Sequence, residues 1–377
     1  MRVARQMRSS RVMLPATIAG CRPAATAGDR DRWEIVKQTP YDNLLAAQGY
    51  EAVDAFERSA CFVTKREHVS VLDVASEAAP ERVFTISESR SDAAEIAPMH
   101  RSRRFFVSRE TTLFLLEPNG TVVAEFDIEE ISSDRPRAQK PPPYEDLPES
   151  INWRMETSED DASVFFTWLT EDHDRLWVGR LEIATGAVDW CPVDFGFGTA
   201  FDTESGRVFQ PWAYEERGIY VSTFESVAVE YWPSEGVFHQ LSMSADRRHL
   251  LASDATLRGN SPPLVIVDVA TGESRQLDLI GMDATWARDG RIWFHNTDSG
   301  LCVADGPDAP SRQIFGCETI ASENAGSWFM PPVISFDGSW VAWIYQERDG
   351  RQRQLLLDVE SQTYRVLESC NHTCAWV

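Results

Sequence analysis

The sequence holds no apolar run long enough to cross a bilayer as a helix, which needs about 20 such residues. It has no long stretch of helix-period hydrophobicity, so a helical bundle is not expected. Basic residues are scarce: 36 Lys and Arg face 59 Asp and Glu, for a formal net charge of −23. A chain that grips nucleic acid needs a positive footprint, so DNA or RNA is excluded as the main ligand. The acidic excess reads as a solvated, mutually repelling surface. Local catalytic signatures are missing as well. There is no G-x-S-x-G elbow, no Walker loop, no dinucleotide fingerprint and no H-E-x-x-H helix. Any site must therefore be assembled from residues far apart in the chain.

What is present is a repeat. Residues 264–277 read LVIVDVATGESRQL: an apolar strand ending in Asp268, a turn at Ala270-Thr271-Gly272, and a second strand. Alternating β-branched residues around a Thr-Gly turn favour a β-hairpin. Similar hairpins stand at 69–86, 113–128, 176–193, 227–241, 301–315 and 355–367, with Asp73, Glu117, Glu182, Trp232, Asp268, Asp305 and Asp358 at the strand ends. Each is preceded by a polar tip and an aromatic-rich strand, as in TSEDDASVFFTW (157–168), SADRRHLLAS (244–253), ARDGRIWFHN (287–296) and SFDGSWVAWIY (335–345). Two hairpins per unit make four strands per unit, at a spacing near the ~40–50 residues of a propeller blade.

The expected fold is all-β: a seven-bladed β-propeller of four-stranded antiparallel blades, with some room for an eighth. Residues 1–30 are expected to be a signal or a disordered tail, and 31–377 one propeller domain. Within it, SSDRPRAQKPPPYEDLPES (132–150) reads as a Pro-rich insertion, because proline cannot donate to a strand ladder. A ring has to close to hide its edges. RWEIVKQ near the start and TCAWV at the end are both candidates for the closing strand.

The pattern of apolar strand, Asp, Ala-Thr-Gly and strand, best carried by VIVDVATGESRQL after SMSADRRHLLAS, resembles the TolB-like and YVTN-type bacterial propeller repeats. RLEIATGAVDW (180–190) also resembles a quinoprotein repeat, but one copy is too few to imply a quinone. The resemblance covers about residues 51–369 and implies architecture only, since such scaffolds serve unrelated functions. No repeated Trp-Asp dipeptide marks a strict WD-repeat protein.

The N-terminus runs from basic MRVARQMRSSR through apolar VMLPATIAG to Cys21, the order of a bacterial lipoprotein signal. This predicts export to the periplasm or to a membrane through a lipid on Cys21, with a cytoplasmic location as the alternative. Six cysteines would then remain, an even number that permits disulfides in an oxidising compartment. Cys302 and Cys317 flank one hairpin and are the expected bridge. Cys370-Asn371-His372-Thr373-Cys374 lacks a second ligand pair, so no metal and no cofactor are expected.

In a propeller, the turns between second and third strands share a face with the crossovers between blades. That face is predicted to bind a protein or an extended ligand, the protein itself being a monomer. Its candidate residues are Glu171, His173, Trp212, Arg217, His295 and Asp298. Imidazole beside carboxylate can serve as base or ligand, although polar loop histidines beside acids are ordinarily just solvated. The main expectation is a non-catalytic scaffold in the cell envelope. The rival is a loop-built lyase or glycoside-active enzyme, which three or more ionisable side chains converging at the channel mouth would favour. A third is a sensor domain.

Overall fold

The computed structural model describes residues 59–64, 68–73, 81–85, 95–132, 150–169, 176–192, 198–212, 217–254, 262–296, 298–316, 331–346, 352–361, 363–368 and 370–376. Contacts divide the chain at Lys37, and all of these lie in the unit Gln38–Val377. Within that unit the fold is an all-β propeller. Its described strands form seven four-stranded antiparallel sheets. The first joins β1 (Ser59–Thr64), β2 (His68–Asp73) and β3 (Glu81–Thr85) to the last strand of the chain, β28 (Cys370–Trp376). The second runs from β4 (Ile96–Pro98) to β7 (Val122–Asp127) and the third from β8 (Ser150–Thr157) to β11 (Val188–Pro192). The fourth spans β12 (Ala200–Asp202) to β15 (Ser226–Pro233), and the fifth β16 (Phe238–Met243) to β19 (Ser274–Ile280). The sixth spans β20 (Met282–Trp286) to β23 (Ser311–Gly316), and the seventh β24 (Val333–Ile334) to β27 (Thr363–Glu368). Among the described residues the single helix is one turn, α1 (Ile128–Ile131), capped by the Asp127 carboxylate.

Each sheet buries both faces against its neighbours, which is why its strands read as near-continuous apolar runs. Val69 meets Ile96 and Phe114 between the first two sheets. Phe106 meets Val164 and Trp168 in the next layer, and Phe165 and Val178 meet Phe201 and Val208 in the one after. Phe209 and Trp232 pack on Leu250 and Val267, and Ile266 packs on Ile292 and Phe294. The His295 and Trp343 rings, 5.5 Å apart, join the sixth sheet to the seventh. Leu72, Trp376, Ala342 and Leu356 close the circle. The first strand of each sheet is innermost, and these inner strands touch in succession: β4 with β8, β12 with β16, β16 with β20, β24 with β28 and β28 with β4.

The closing strand is the C-terminal one. β28 pairs with β1 through Ala60–Trp376, Cys61–Ala375 and Phe62–Cys374, so one sheet is stitched from both ends of the chain. RWEIVKQ, residues 41–50 and the stretch 133–149 lie outside the described residues, as do residues 1–30 with Cys21.

The repeated hairpin turn works as its residues suggest. Asp268 Oδ1 accepts from the Ala270 and Thr271 amides, both at 2.9 Å, and from the Thr271 hydroxyl at 3.1 Å. Asp358 repeats this with Glu360 and Ser361. These acids stabilise turns, as Asx side chains do. Trp232, which replaces an acid in the fourth sheet, is buried in the next layer instead.

Candidate functional site at the hairpin-side mouth of the channel

The turns between first and second strands surround one end of the central axis. Three share one construction. Ser158, Ser244 and Ser335 each donate through Oγ to the acid two residues on, Asp160, Asp246 and Asp337, at 2.6, 2.7 and 2.8 Å. The same hydroxyls accept the amides of Ser163, His249 and Trp340 at 2.9, 3.0 and 2.8 Å. First and third positions thus lock the turn, and the second is left to vary. It holds Glu159 in the third sheet and Phe336 in the seventh. The sixth-sheet tip, Ala287-Arg288-Asp289-Gly290, puts Arg288 there. In the longer second-sheet tip, closed by the Met99 amide on the Arg104 carbonyl, the second residue is His100.

These second positions meet across the axis. Arg288 Nη2 donates to His100 Nδ1 at 2.6 Å, although their sheets are not neighbours in the ring. The Arg288 guanidinium also lies over the Phe336 ring, with its carbon 3.2 Å from the centroid. An arginine only donates, so Nδ1 must be the bare acceptor. His100 Nε2 then carries the proton and donates to the Thr157 carbonyl at 3.2 Å. Burial, helped by the Arg288 charge, lowers the His100 pKa to about 4, so the ring is neutral. The Asp161 carboxylate accepts the His100 and Arg101 amides at 2.6 and 2.8 Å. Burial nevertheless leaves its pKa raised, outweighing those bonds.

Arg247 forms the second crossing. It pairs with Glu159 at 2.8 Å, two sheets away, with Asp202 at 2.6 Å and with Glu204 at 3.2 Å. Burial works to raise Glu159 and Asp202, but the Arg247 hydrogen bonds and charge, with Ser205 assisting at Asp202, bring both below the usual carboxylate range. Burial likewise opposes the charge on Arg247, and the two carboxylates raise its pKa regardless. Below this layer, Arg154 reaches from the third sheet to the Leu241 carbonyl of the fifth at 3.0 Å.

The sequence-predicted candidates fall elsewhere. Glu171 and His173 lie outside the described residues, in the turn between β9 (Ser163–Leu169) and β10 (Leu176–Glu182). Trp212 ends β13 (Arg207–Trp212), paired with Gly218. Arg217 is exposed on the predicted face and bonds the Glu235 carbonyl at 3.3 Å. Asp298 is exposed in the turn after β21 (Ile292–Asn296), where its amide donates to Asn296 Oδ1. His295 is not a loop residue. It is 1 % exposed inside β21, and burial against Trp343 lowers its pKa to about 4. The structure therefore assembles its charged cluster on the opposite face from the one the loops suggested. The repeated Ser-x-Asp spacing, with a variable middle residue, is the sequence signal that points to it.

Cys302 is buried in β22 (Gly300–Ala304) and stands opposite Gln313 in register. The hairpin therefore does not bring residue 317 beside it, and Cys317 itself lies outside the described residues. Among the described residues no group of three or more His, Cys, Asp or Glu could hold a metal ion.

No known protein family matches the chain by sequence profile, and no curated protein matches it. Solved structures do. The chain is similar to TolB from Acinetobacter baumannii at 12 % identity and a TM-score of 0.49, covering 89 % of this chain and 69 % of that one. It is also similar to the dihydro-heme d1 dehydrogenase NirN in complex with DHE, at 14 % identity and a TM-score of 0.48, covering 84 % and 74 %.

Proposed function

We propose that this chain is a seven-bladed propeller scaffold of the cell envelope that binds a protein or another extended ligand. Binding uses the face formed by the crossovers and the turns between second and third strands, with Arg217 and Asp298 on its rim. One observation carries the reading. The charged side chains at the hairpin-side mouth spend their hydrogen bonds on one another: Arg247 on Glu159, Asp202 and Glu204, and both His100 nitrogens on Arg288 and Thr157. A group so engaged braces the ring. The opposite face is left with the longest and least regular connections, 132–150 and 316–332, and loops on rigid scaffolds are where binding concentrates. The basic-apolar-Cys21 order of the N-terminus supports the envelope location.

The test is a photo-crosslinking residue placed at Arg217, at Asp298 or, as a control on the other face, at Asp246, in cells expressing the full chain. A discrete adduct from the first two positions alone is expected. Equal yields from all three, or none from the first two, would end the reading. Cell fractionation of the full chain beside Cys21→Ser tests the envelope location: wild type should sediment with membranes and the variant should not.

A second reading is favoured by the convergence itself. His100, Glu159, Asp161, Asp202 and Arg247 gather at one mouth, as a loop-built enzyme would require. In that case His100→Gln abolishes turnover of a polysaccharide panel without reducing stability.

A further inference from the structure

Asp283 is the second residue of the inner strand β20, at the crossover end, away from the charged mouth. It sits at a β-bulge, where the pairing with β21 shifts between Met282 and Thr285. Its φ of 51° is left-handed, a conformation that non-glycine residues adopt at a cost of roughly 1–2 kcal/mol. The bulge sends neighbouring side chains different ways: Ala284 enters the layer against the fifth sheet, while Asp283 stays in partial contact with solvent. Protein nevertheless surrounds Asp283 densely, and burial alone raises its carboxyl pKa to about 7. Dense enclosure with residual solvent contact is the environment of a side chain lining an internal recess. No cation or hydrogen-bond donor contributes to the shift. Every other enclosed acid of the ring has one: Asp202 has Arg247 and Ser205, Asp161 has two amides, and Asp289 has Arg291.

An enclosed carboxylate without a counter-ion is costly when ionised and is stabilised by whatever cation can reach it. The innermost strand pairs on one side only, so its other edge turns backbone carbonyls to the axis. A carboxylate beside free carbonyls suits a group with several donors and one positive charge. A lone carboxylate does not satisfy a divalent metal, which takes six or more oxygens. The formal charge of −23 draws cations to the molecule from outside.

We propose that Asp283 is the anchor for a primary ammonium group that enters the channel from the crossover face, carried by a small amine or by a lysine side chain. The proposal deepens the scaffold reading and rests on it, because it gives the bound partner a chemical signature. Binding releases the Asp283 proton, which leaves the carboxyl for solvent as the ammonium takes its place.

The experiment is calorimetric titration of the full-length protein with n-butylamine, spermidine and the peptide Gly-Gly-Lys-Gly-Gly, at pH 6 and pH 8, with n-butanol as the uncharged control. The variants are Asp283→Asn, which keeps the shape of the protonated acid, and Asp308→Asn, which removes a peripheral carboxylate of the same charge. Amine binding is expected at pH 8, at least 10-fold weaker at pH 6, at least 10-fold weaker in Asp283→Asn, and unchanged in Asp308→Asn. Free amines binding without the peptide identify a small ligand, and the peptide binding as well identifies a lysine. Equal affinity in Asp283→Asn, or no amine binding at pH 8, overturns the proposal. The crosslinking pattern at Arg217 and Asp298 is read separately, so scaffold and anchor can fail independently.

Discussion

Arg288 Nη2 and His100 Nδ1 stand 2.6 Å apart although their tips belong to sheets separated by others around the ring. A contact between neighbouring sheets holds one layer. A contact across the axis ties together tips whose sheets otherwise communicate only around the circumference. With the crossing from Arg247 to Glu159, it makes the hairpin-side mouth a brace.

This brace responds to acid. The folded-state pKa values of His100 and His295 are both about 4, chiefly through burial, against about 6.5 unfolded. Between pH 6.5 and 4 the unfolded chain binds protons that the folded chain refuses, so stability falls as pH falls and levels off below 4. Asp283 acts the other way. Its folded value of about 7 exceeds the unfolded 3.9, so its contribution is lost as pH rises from about 4 to 7. The two histidines together outweigh it. Urea midpoints measured from pH 7 down to pH 4 should fall, and His100→Gln should flatten the fall. An unchanged slope in that variant would show that His100 titrates normally.

Arg247 is the hub of the second crossing. Replacing it with leucine strands the Asp202 carboxylate, whose side chain is 9 % exposed. Leaving a buried charge unpaired typically costs 3–5 kcal/mol, and the more exposed Glu159 and Glu204 add little. We expect a loss of about 2–4 kcal/mol, with Asp202→Asn in the same chain recovering part of it. Urea denaturation of the single and double variants measures both.

The propeller was legible because its repeat is written in short-range chemistry. Val265, Ile266 and Asp268 announce a strand and its end, and Thr271-Gly272 announces the turn, within one window of sequence. The mouth was not legible in that way. His100 and Arg288 are 188 residues apart. Nothing local to either shows that the second position of a Ser-x-Asp tip points inward. His295 misled for a related reason. Beside Asn296 and Asp298 it reads as loop chemistry, yet β21 runs through to Asn296 and buries it. Closure by β28 followed from register with β1, a pairing between chain ends that no periodicity encodes.

Two turns of identical sequence give a controlled comparison. Ala184-Thr185-Gly186 and Ala270-Thr271-Gly272 both end in a left-handed glycine, with φ of 70° and 73°. A β-carbon at Gly186 meets nothing within 4 Å, whereas one at Gly272 stands 2.8 Å from Trp232 Cγ. Gly186→Ala should cost only the left-handed backbone term, about 1–2 kcal/mol. Gly272→Ala adds overpacking of roughly 1–3 kcal/mol against a buried indole. Thermal melts should therefore rank the second well below the first, and Trp232→Leu should narrow the gap. Equal losses would mean that the indole yields without cost.

Removing residues 370–377 tests how the ring is held. The deletion takes away all of β28, exposing the β1 edge and stripping Trp376 from the layer it shares with Leu72 and Ala342. It also removes the bond from Trp376 Nε1 to the Val333 carbonyl at 3.0 Å, which ties β28 to the seventh sheet. An open ring has two unprotected edges and no strain-free way to cover them. The truncated chain should lose its cooperative melt and associate in size-exclusion chromatography. The peptide CNHTCAWV added during refolding should restore the monomer peak, because the missing strand needs no covalent link to pair with β1. A truncated protein that melts cooperatively as a monomer would show instead that β1 to β3 close the circle alone.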